Sequence, residues 1–147
     1  MEIISEKISG PISNGSLWLS SSIDVKAKPN VQFNYFADLK DLSRCVIAMR
    51  KISEMLNTTV MEQFMVEDSN GTRSFLFYGP SLPTNQFDES SMEGFCRSTE
   101  TTIYHYHGGC LVDKVVDGEF RVMGISGLCV VDGSTFITSP GTNLKLL

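Results

Sequence analysis

The sequence predicts the α+β class, with two helices packed against a mostly antiparallel sheet. Its 147 residues suit about one domain, since single domains cluster at roughly 100–150 residues. Hydrophobic residues make up 41% and charged residues 20%, a balance typical of globular chains with a packed core. One strongly periodic helical segment lies among short alternating segments and many glycines, and this segregation of helix from strand indicates α+β.

Two strand candidates precede the helix. Residues 16–20 alternate polar and apolar side chains between turns rich in Ser, Gly, Asn and Pro, which is typical of a short strand. Residues 31–36 alternate again and place Val31, Phe33 and Tyr35 on one face. We therefore expect a strand in each segment.

Asp38 begins the strongest helix pattern in the chain. Asp38 and Asp41 place negative charge in the first turn, where backbone N–H groups are free. Apolar side chains then recur at three- and four-residue steps and share one stripe: Leu39, Leu42, Cys45, Val46, Met49, Ile52, Met55 and Leu56. We expect this helix to end near Asn57.

The rest of the chain is predicted to form shorter elements. A helical or irregular piece, a turn, a strand and a loop are expected at residues 59–64, 69–71, 74–78 and 79–89. Ser90 or Ser91 can cap a second helix that runs towards Thr102. From residue 110 onward, short apolar pieces alternate with glycines.

The charge and the hydropathy of the chain argue against nucleic-acid and membrane partners. The chain has 12 Lys and Arg residues and 17 Asp and Glu residues, so its net charge is −5. This charge would repel a phosphate backbone, since the sequence contains no basic cluster to offset it. No apolar run approaches the roughly 20 residues that span a bilayer. The first residues lack the basic region and apolar stretch of a signal peptide. We therefore expect no nucleic-acid or membrane partner, and no export signal is visible.

The four cysteines, Cys45, Cys96, Cys110 and Cys129, are widely spaced and include no C-x-x-C pair. This spacing does not support a zinc ribbon, and we expect ordinary buried thiols. N-x-[ST] sequons occur at Asn14, Asn57 and Asn70, a pattern found in secreted proteins.

The two histidines, His105 and His107, lie two residues apart, so an extended segment would direct both rings to one side. Three interpretations remain open. The rings could bind a metal, which requires a third ligand that the sequence does not identify. They could be half-buried and hydrogen-bonded to backbone, or one could be a general base. Gly108 and Gly109 would then let the backbone approach a planar ligand.

A second candidate segment lies near the end of the chain. Residues 130–136 read Val-Val-Asp-Gly-Ser-Thr-Phe, so an apolar strand runs into an Asp-Gly turn. Ligand sites gather where strands end in glycine-rich turns. Backbone amides and the carboxylate of Asp132 could meet a ligand there.

Together these segments resemble the C-terminal region of the glucose-methanol-choline (GMC) oxidoreductases, and most closely plant mandelonitrile lyase-like and HOTHEAD-like members. The resemblance rests on residues 102–110, 121–136 and 139–143, with further likeness at residues 8–11 and 33–36, so it covers nearly the whole chain. It implies a substrate-binding region over residues 1–125 and a return segment towards the FAD-binding domain over residues 126–147.

The resemblance also implies roles for individual residues. His105 matches the active-site histidine of the family, and Asn143 matches the second member of the catalytic pair. Tyr104 would contact flavin or substrate. Ile103 would contact substrate and stands where the lyases tend to have a tyrosine, which favours alcohol oxidation over the lyase reaction.

The implied cofactor is FAD, and Asp132 and Gly133 match the turn that approaches it. The implied reaction is oxidation of a CH–OH group, with a small alcohol as substrate. A hydroxynitrile lyase that releases cyanide from a cyanohydrin is the alternative, and an inert truncated remnant or interaction module is a third hypothesis.

The sequence contains no G-x-G-x-x-G motif after a strand, the motif that holds the dinucleotide half of FAD. We therefore expect a truncated chain that does not hold FAD alone and that would naturally contact a FAD-binding half. Full-length members of the family suggest a secreted protein.

Overall fold

The structure, a computed structural model, describes residues 4–77 and 79–139. The chain divides into two compact units, Met1–Glu100 and Thr101–Leu147. Within the described residues, the first unit contains two α-helices, a 3-10 helix and two antiparallel hairpins, so the predicted α+β class is confirmed. The predicted boundary at residue 125 comes from the domains of the family that the chain resembles, whereas the boundary after Glu100 separates two compact units. The boundary at residue 125 therefore stays a prediction.

The first hairpin pairs β1 (Ser16–Trp18) with β2 (Asn30–Gln32), with Leu17 opposite Val31. Both strands are shorter than the predicted segments 16–20 and 31–36. After β2 the backbone leaves the extended region, because Asn34 has a φ of 60° and Phe36 a φ of 53°. Left-handed residues cannot continue a strand.

The first helix, α1, spans Leu39–Leu56, with Asp38 as N-cap and Asn57 as C-cap, as predicted. The carboxylate of Asp38 accepts a hydrogen bond from the amide of Lys40 at 2.9 Å, which satisfies one of the free donors of the first turn. A 3-10 helix at Thr59–Phe64 follows, in agreement with the predicted helical piece.

A second small hairpin pairs β3 (Val66–Glu67) with β4 (Arg73–Ser74). The prediction of a strand over residues 74–78 is wrong at residues 75–77, which have no strand partner among the described residues. Tyr78 lies outside the described residues. Asp68 closes the turn between the strands, since its carboxylate accepts from the amides of Asn70 and Thr72.

The second helix, α2, spans Glu89–Thr99, so it begins and ends earlier than predicted. The N-cap is Asp88 and not Ser90 or Ser91. Both serine hydroxyls instead donate to the carboxylate of Asp88, since they already lie in the first turn.

The core of the first unit lies where α1 packs on α2. Its buried side chains are Phe36, Leu42, Cys45, Val46, Met92 and Cys96. Cys45 and Cys96 form a disulfide with Cα atoms 6.3 Å apart, so the expectation of buried thiols is wrong for this pair. The two residues are separated by 51 positions, and only the packing of the helices brings them together. Cys110 and Cys129 are free thiols, but Cys110 is half-buried and Cys129 is exposed, so the expectation of burial is wrong for them as well.

A buried carboxylate on α1 holds the N-terminal segment against this helix. Asp41 is 2% exposed and accepts hydrogen bonds from the amides of Ile12 and Ser13 and from the Ser13 hydroxyl, at 2.7–3.1 Å. Arg44 donates to the carbonyls of Ser9 and Gly10. Burial raises the pKa of Asp41, but the hydrogen bonds from Ser13 and Ile12, with Arg44 nearby, outweigh burial and lower the pKa below its ordinary value of 3.8.

Short backbone pairings organise the second unit. Val116, which is fully buried, bridges to Val112 and Val122, and Arg121 bridges to Cys129. The carboxylate of Asp117 accepts from the backbone amide and the guanidinium of Arg121 at 2.9 and 2.8 Å. This turn directs the chain back along itself towards residues 130–136.

Among the helices of the described part of the chain, none is both long and apolar enough to cross a bilayer.

The disulfide should account for a large share of the stability of the first unit. We expect Cys96→Ala to lower the free energy of unfolding by about 2–4 kcal/mol, because the open chain regains the conformational entropy of the 51-residue loop. Urea unfolding followed by the fluorescence of Trp18, the single tryptophan, measures this change. Dithiothreitol should produce a similar loss in the parent, and Cys129→Ser, at an exposed free thiol, should produce none. Equal stability of the parent with and without reductant would contradict the prediction.

Asp41 should make stability depend on acid pH. Because its pKa is lower in the folded than in the unfolded chain, its contribution is complete above the unfolded pKa and is lost as the pH falls through the folded pKa. We expect Asp41→Asn to lower the free energy of unfolding by about 2–3 kcal/mol at neutral pH, since charged hydrogen bonds are lost. The difference in unfolding free energy between Asp41→Asn and the parent should shrink as the pH falls below 3.8, the ordinary pKa of an aspartate. Urea unfolding across pH measures it, with Glu54→Gln, at an exposed position of α1, as control. A difference that does not change with pH would contradict this account.

Candidate active site

The structure brings the two candidate segments together within the second unit. The backbone amide of Cys110 donates a hydrogen bond to the carbonyl of Ser134 at 2.9 Å. A Cβ placed on Gly109 would lie 3.8 Å from the Cβ of Ser134, an ordinary van der Waals distance. The end of the histidine segment therefore lies directly against the Asp-Gly turn.

Tyr104, the residue before the first histidine, has a left-handed backbone with a φ of 60°. The hydroxyl of Thr102 accepts a hydrogen bond from the Tyr104 amide at 3.0 Å, which holds this conformation. The Tyr104 ring is 74% exposed. A left-handed aromatic residue stores strain of about 1–3 kcal/mol, and such strain clusters at functional sites.

The two histidines are less exposed than the tyrosines beside them. His105 and His107 are half-buried, whereas Tyr104 and Tyr106 are exposed, which is consistent with both imidazoles lying on one side of the segment. Nδ1 of His107 lies 3.5 Å from the carbonyl oxygen of His105. The ring of His107 is therefore directed at the backbone of His105.

Ile103 also lies in this segment, and its side chain is 50% exposed. With Tyr104 it presents apolar and aromatic surface immediately before His105. Asn143 lies outside the described residues.

Among residues 4–77 and 79–139, no group of three or more His, Cys, Asp and Glu side chains is placed to hold a metal ion. The metal interpretation of the histidine pair therefore has no third ligand in this part of the chain. The other two interpretations, half-buried rings and a general base, are both compatible with the geometry.

The Asp-Gly turn is a short 3-10 helix over Gly133–Thr135 with Asp132 as N-cap. The Asp132 carboxylate accepts from the Ser134 amide at 2.8 Å. The hydroxyl and amide of Ser134 lower the pKa of Asp132, so this carboxylate stays ionised near neutral pH. The carboxylate is exposed to solvent, although it accepts a hydrogen bond from within its own turn.

Sequence reasoning did not single out Ser134 or Thr102. The Ser134 Oγ atom is buried and has no hydrogen-bond partner within the described part of the chain. This hydroxyl nevertheless lies close enough to Asp132 to lower the pKa of that carboxyl. The spacing could have identified both residues. Ser134 follows Asp132 by two positions and Thr102 precedes Tyr104 by two positions, and at this separation side chains and backbone groups often hydrogen-bond to each other.

Comparison with known proteins identifies the family. The family model that describes the C-terminal region of the GMC oxidoreductases matches residues 11–147 of the chain. The chain belongs to the GMC oxidoreductase family. The predicted resemblance is thereby confirmed.

This GMC family member is similar to plant proteins with different names. The chain is 50% identical to (R)-mandelonitrile lyase 2 of Prunus dulcis over 93% of its length and 47% identical to sinalpyl alcohol oxidase Nec3 of Nesocodon mauritianus over 93%. It is 41% identical to Protein HOTHEAD of Arabidopsis thaliana over 95%. The chain spans about a quarter of the length of these curated relatives, between 24% and 25%.

GMC oxidoreductases are generally FAD-dependent, and the second unit has a donor that fits part of this cofactor. Gly133 opens the 3-10 helix of the turn, and its amide donates no backbone hydrogen bond among the residues that the structure describes. A free amide suits the carbonyl and ring-nitrogen acceptors of a flavin. The dinucleotide half needs a glycine-rich turn between a strand and a helix, and the G-x-G-x-x-G motif is absent from this sequence.

Tyr104 offers a test of strain in this segment. Glycine adopts a left-handed backbone without steric cost, so Tyr104→Gly should stabilise the segment by about 1 kcal/mol. Hydrogen exchange at the Cys110 amide, which donates to Ser134, should become roughly fivefold slower. The control Tyr106→Gly, at a residue without a left-handed backbone, should not slow exchange. Faster exchange in Tyr104→Gly would contradict the assignment of strain.

Proposed function

We propose that this chain forms the substrate side of the active site of a FAD-dependent enzyme that oxidises the CH–OH group of a small alcohol. One observation carries the proposal. The half-buried His105 follows a strained, exposed aromatic residue, and its segment is joined to the Asp132–Gly133 turn by the hydrogen bond from Cys110 to Ser134. A candidate base, an exposed ring and a free backbone amide thus lie in one small unit.

In this proposal His105 is the general base. Its imidazole removes the hydroxyl proton, and the carbon-bound hydrogen leaves with its electron pair, so that the alcohol becomes a carbonyl compound. Imidazole suits this task because its ordinary pKa lies close to neutral pH. A base of this kind contributes about 10²–10⁴-fold to the rate.

The other proposed roles concern binding. Tyr104 and Ile103 would contact the substrate, and Tyr104 could also contact the flavin. The amide of Asn143 would donate to the oxygen on which negative charge develops. Asp132 and Gly133 would face FAD, which supplies the acceptor for the hydride when bound.

A hydroxynitrile lyase is the second candidate, favoured by the 50% identity to (R)-mandelonitrile lyase 2. His105 would again remove the hydroxyl proton, here from a cyanohydrin. The carbon–carbon bond to the nitrile would then break, releasing cyanide and an aldehyde without any net oxidation. The two reactions share the base and differ in the bond that breaks.

Two chimeric enzymes separate the candidates. In each, this chain replaces the matching quarter of sinalpyl alcohol oxidase Nec3 or of (R)-mandelonitrile lyase 2, so that the rest of the relative completes the enzyme. We expect alcohol oxidation in the first chimera. Cyanide release in the second with no oxidation in the first would favour the lyase, and two flavin-containing but inactive chimeras would support the inert remnant.

The role of His105 gives the sharpest measurement. His105→Gln should lower turnover in the active chimera about 100-fold or more, because the base is lost. Flavin absorbance should be unchanged, which separates lost chemistry from lost cofactor. His107→Gln, at the ring directed towards the backbone carbonyl of His105, is the matched control and should keep most of the activity. Full activity in His105→Gln would overturn the proposed base.

A further inference from the structure

The sequon Asn70-Gly71-Thr72 is not used by the proposed active site. It lies at the tip of the β3–β4 hairpin in the first unit. Asn70 and Thr72 are both exposed. The motif N-x-[ST] is the acceptor for N-linked glycosylation when it is displayed in a surface loop.

The tip of this hairpin is well formed. The carboxylate of Asp68 accepts from the amides of Asn70 and Thr72 at 2.8 and 2.9 Å, and Gly71 has a φ of 80°. These bonds use backbone donors only. The carboxamide of Asn70 and the hydroxyl of Thr72 make no hydrogen bond within the described residues, so a sugar on Asn70 would displace no native hydrogen bond there.

The other two sequons lie in more constrained places. The carboxamide of Asn14 donates to the carbonyl of Ile12 at 2.9 Å, and a Cβ placed on Gly15 would lie 2.9 Å from the carbonyl oxygen of Phe33. Asn57 caps α1, where its amide donates to the carbonyl of Ser53 at 3.1 Å. The Asn14 side chain is thus already bonded within the fold, and the sequon at Asn57 runs from the cap of α1 into the 3-10 helix instead of lying in a turn.

The disulfide points to the compartment in which such a modification occurs. Cys45 and Cys96 join the two helices inside the core, and structural disulfides form and persist in oxidising environments such as the lumen of the endoplasmic reticulum. That lumen is also where N-linked oligosaccharides are attached. The disulfide and the sequon are therefore two independent features that both fit passage through the lumen of the endoplasmic reticulum.

We propose that Asn70 is an N-glycosylation site. The co-reactant is an oligosaccharide linked to a lipid diphosphate, used by a membrane-bound oligosaccharyltransferase. Nδ2 of Asn70 forms a bond to C1 of the first sugar as the bond from C1 to the diphosphate oxygen breaks. The amide loses one proton, the lipid diphosphate leaves, and no group is oxidised or reduced.

The test is secretion of the full chain from plant cells behind a cleavable signal peptide. Digestion with an amidase that releases N-glycans, followed by peptide mass spectrometry, reads each sequon as glycosylated or not. The same peptide map reports whether Cys45 and Cys96 are joined. We expect a glycan on Asn70 in most of the secreted chain.

Three variants assign the glycan. Asn70→Gln and Thr72→Ala should each remove it and keep the disulfide, since neither side chain makes a hydrogen bond within the described residues. Thr72→Ser should restore it, because serine also completes the sequon. An unmodified Asn70 in the secreted parent overturns the proposal, and so does a glycan that persists in Thr72→Ala.

Discussion

A backbone hydrogen bond, from the amide of Cys110 to the carbonyl of Ser134, joins the two segments on which the proposed function depends. Twenty-four positions separate the bonded residues, and the intervening chain returns on itself through the Asp117 turn and the pairing of Arg121 with Cys129. Any ligand held by the Asp132–Gly133 turn would therefore lie on the same small unit as His105. The strained backbone of Tyr104 immediately precedes His105 in this segment.

The first unit depends on a different constraint. Its helices are joined by the Cys45–Cys96 disulfide, and its N-terminal segment is held by the buried carboxylate of Asp41. A buried charge is tolerated only when it is paired or hydrogen-bonded, and Asp41 meets that condition with amide and hydroxyl donors from Ser13. Only a modest number of side chains form the core, so these two links carry much of the unit's order.

Elements with local signals were predicted well. The N-cap Asp38 and the apolar stripe after it located α1 correctly, because both depend on residues within a few positions. The strands were predicted too long, since alternation does not reveal left-handed residues such as Asn34. The orphan hydroxyl of Ser134 could not be predicted, because burial of a polar atom depends on which distant segment packs over it.

The sequence by itself determined the α+β class, the family and the two segments that carry the candidate chemistry, because helix periodicity, turn residues and ordered motifs are properties of neighbouring residues. Tertiary structure alone decided three further things: the Cys45–Cys96 disulfide, the burial of Asp41 and the contact of Cys110 with Ser134. Each joins residues far apart in the chain. Their proximity follows from how whole elements pack, and no local pattern records that packing.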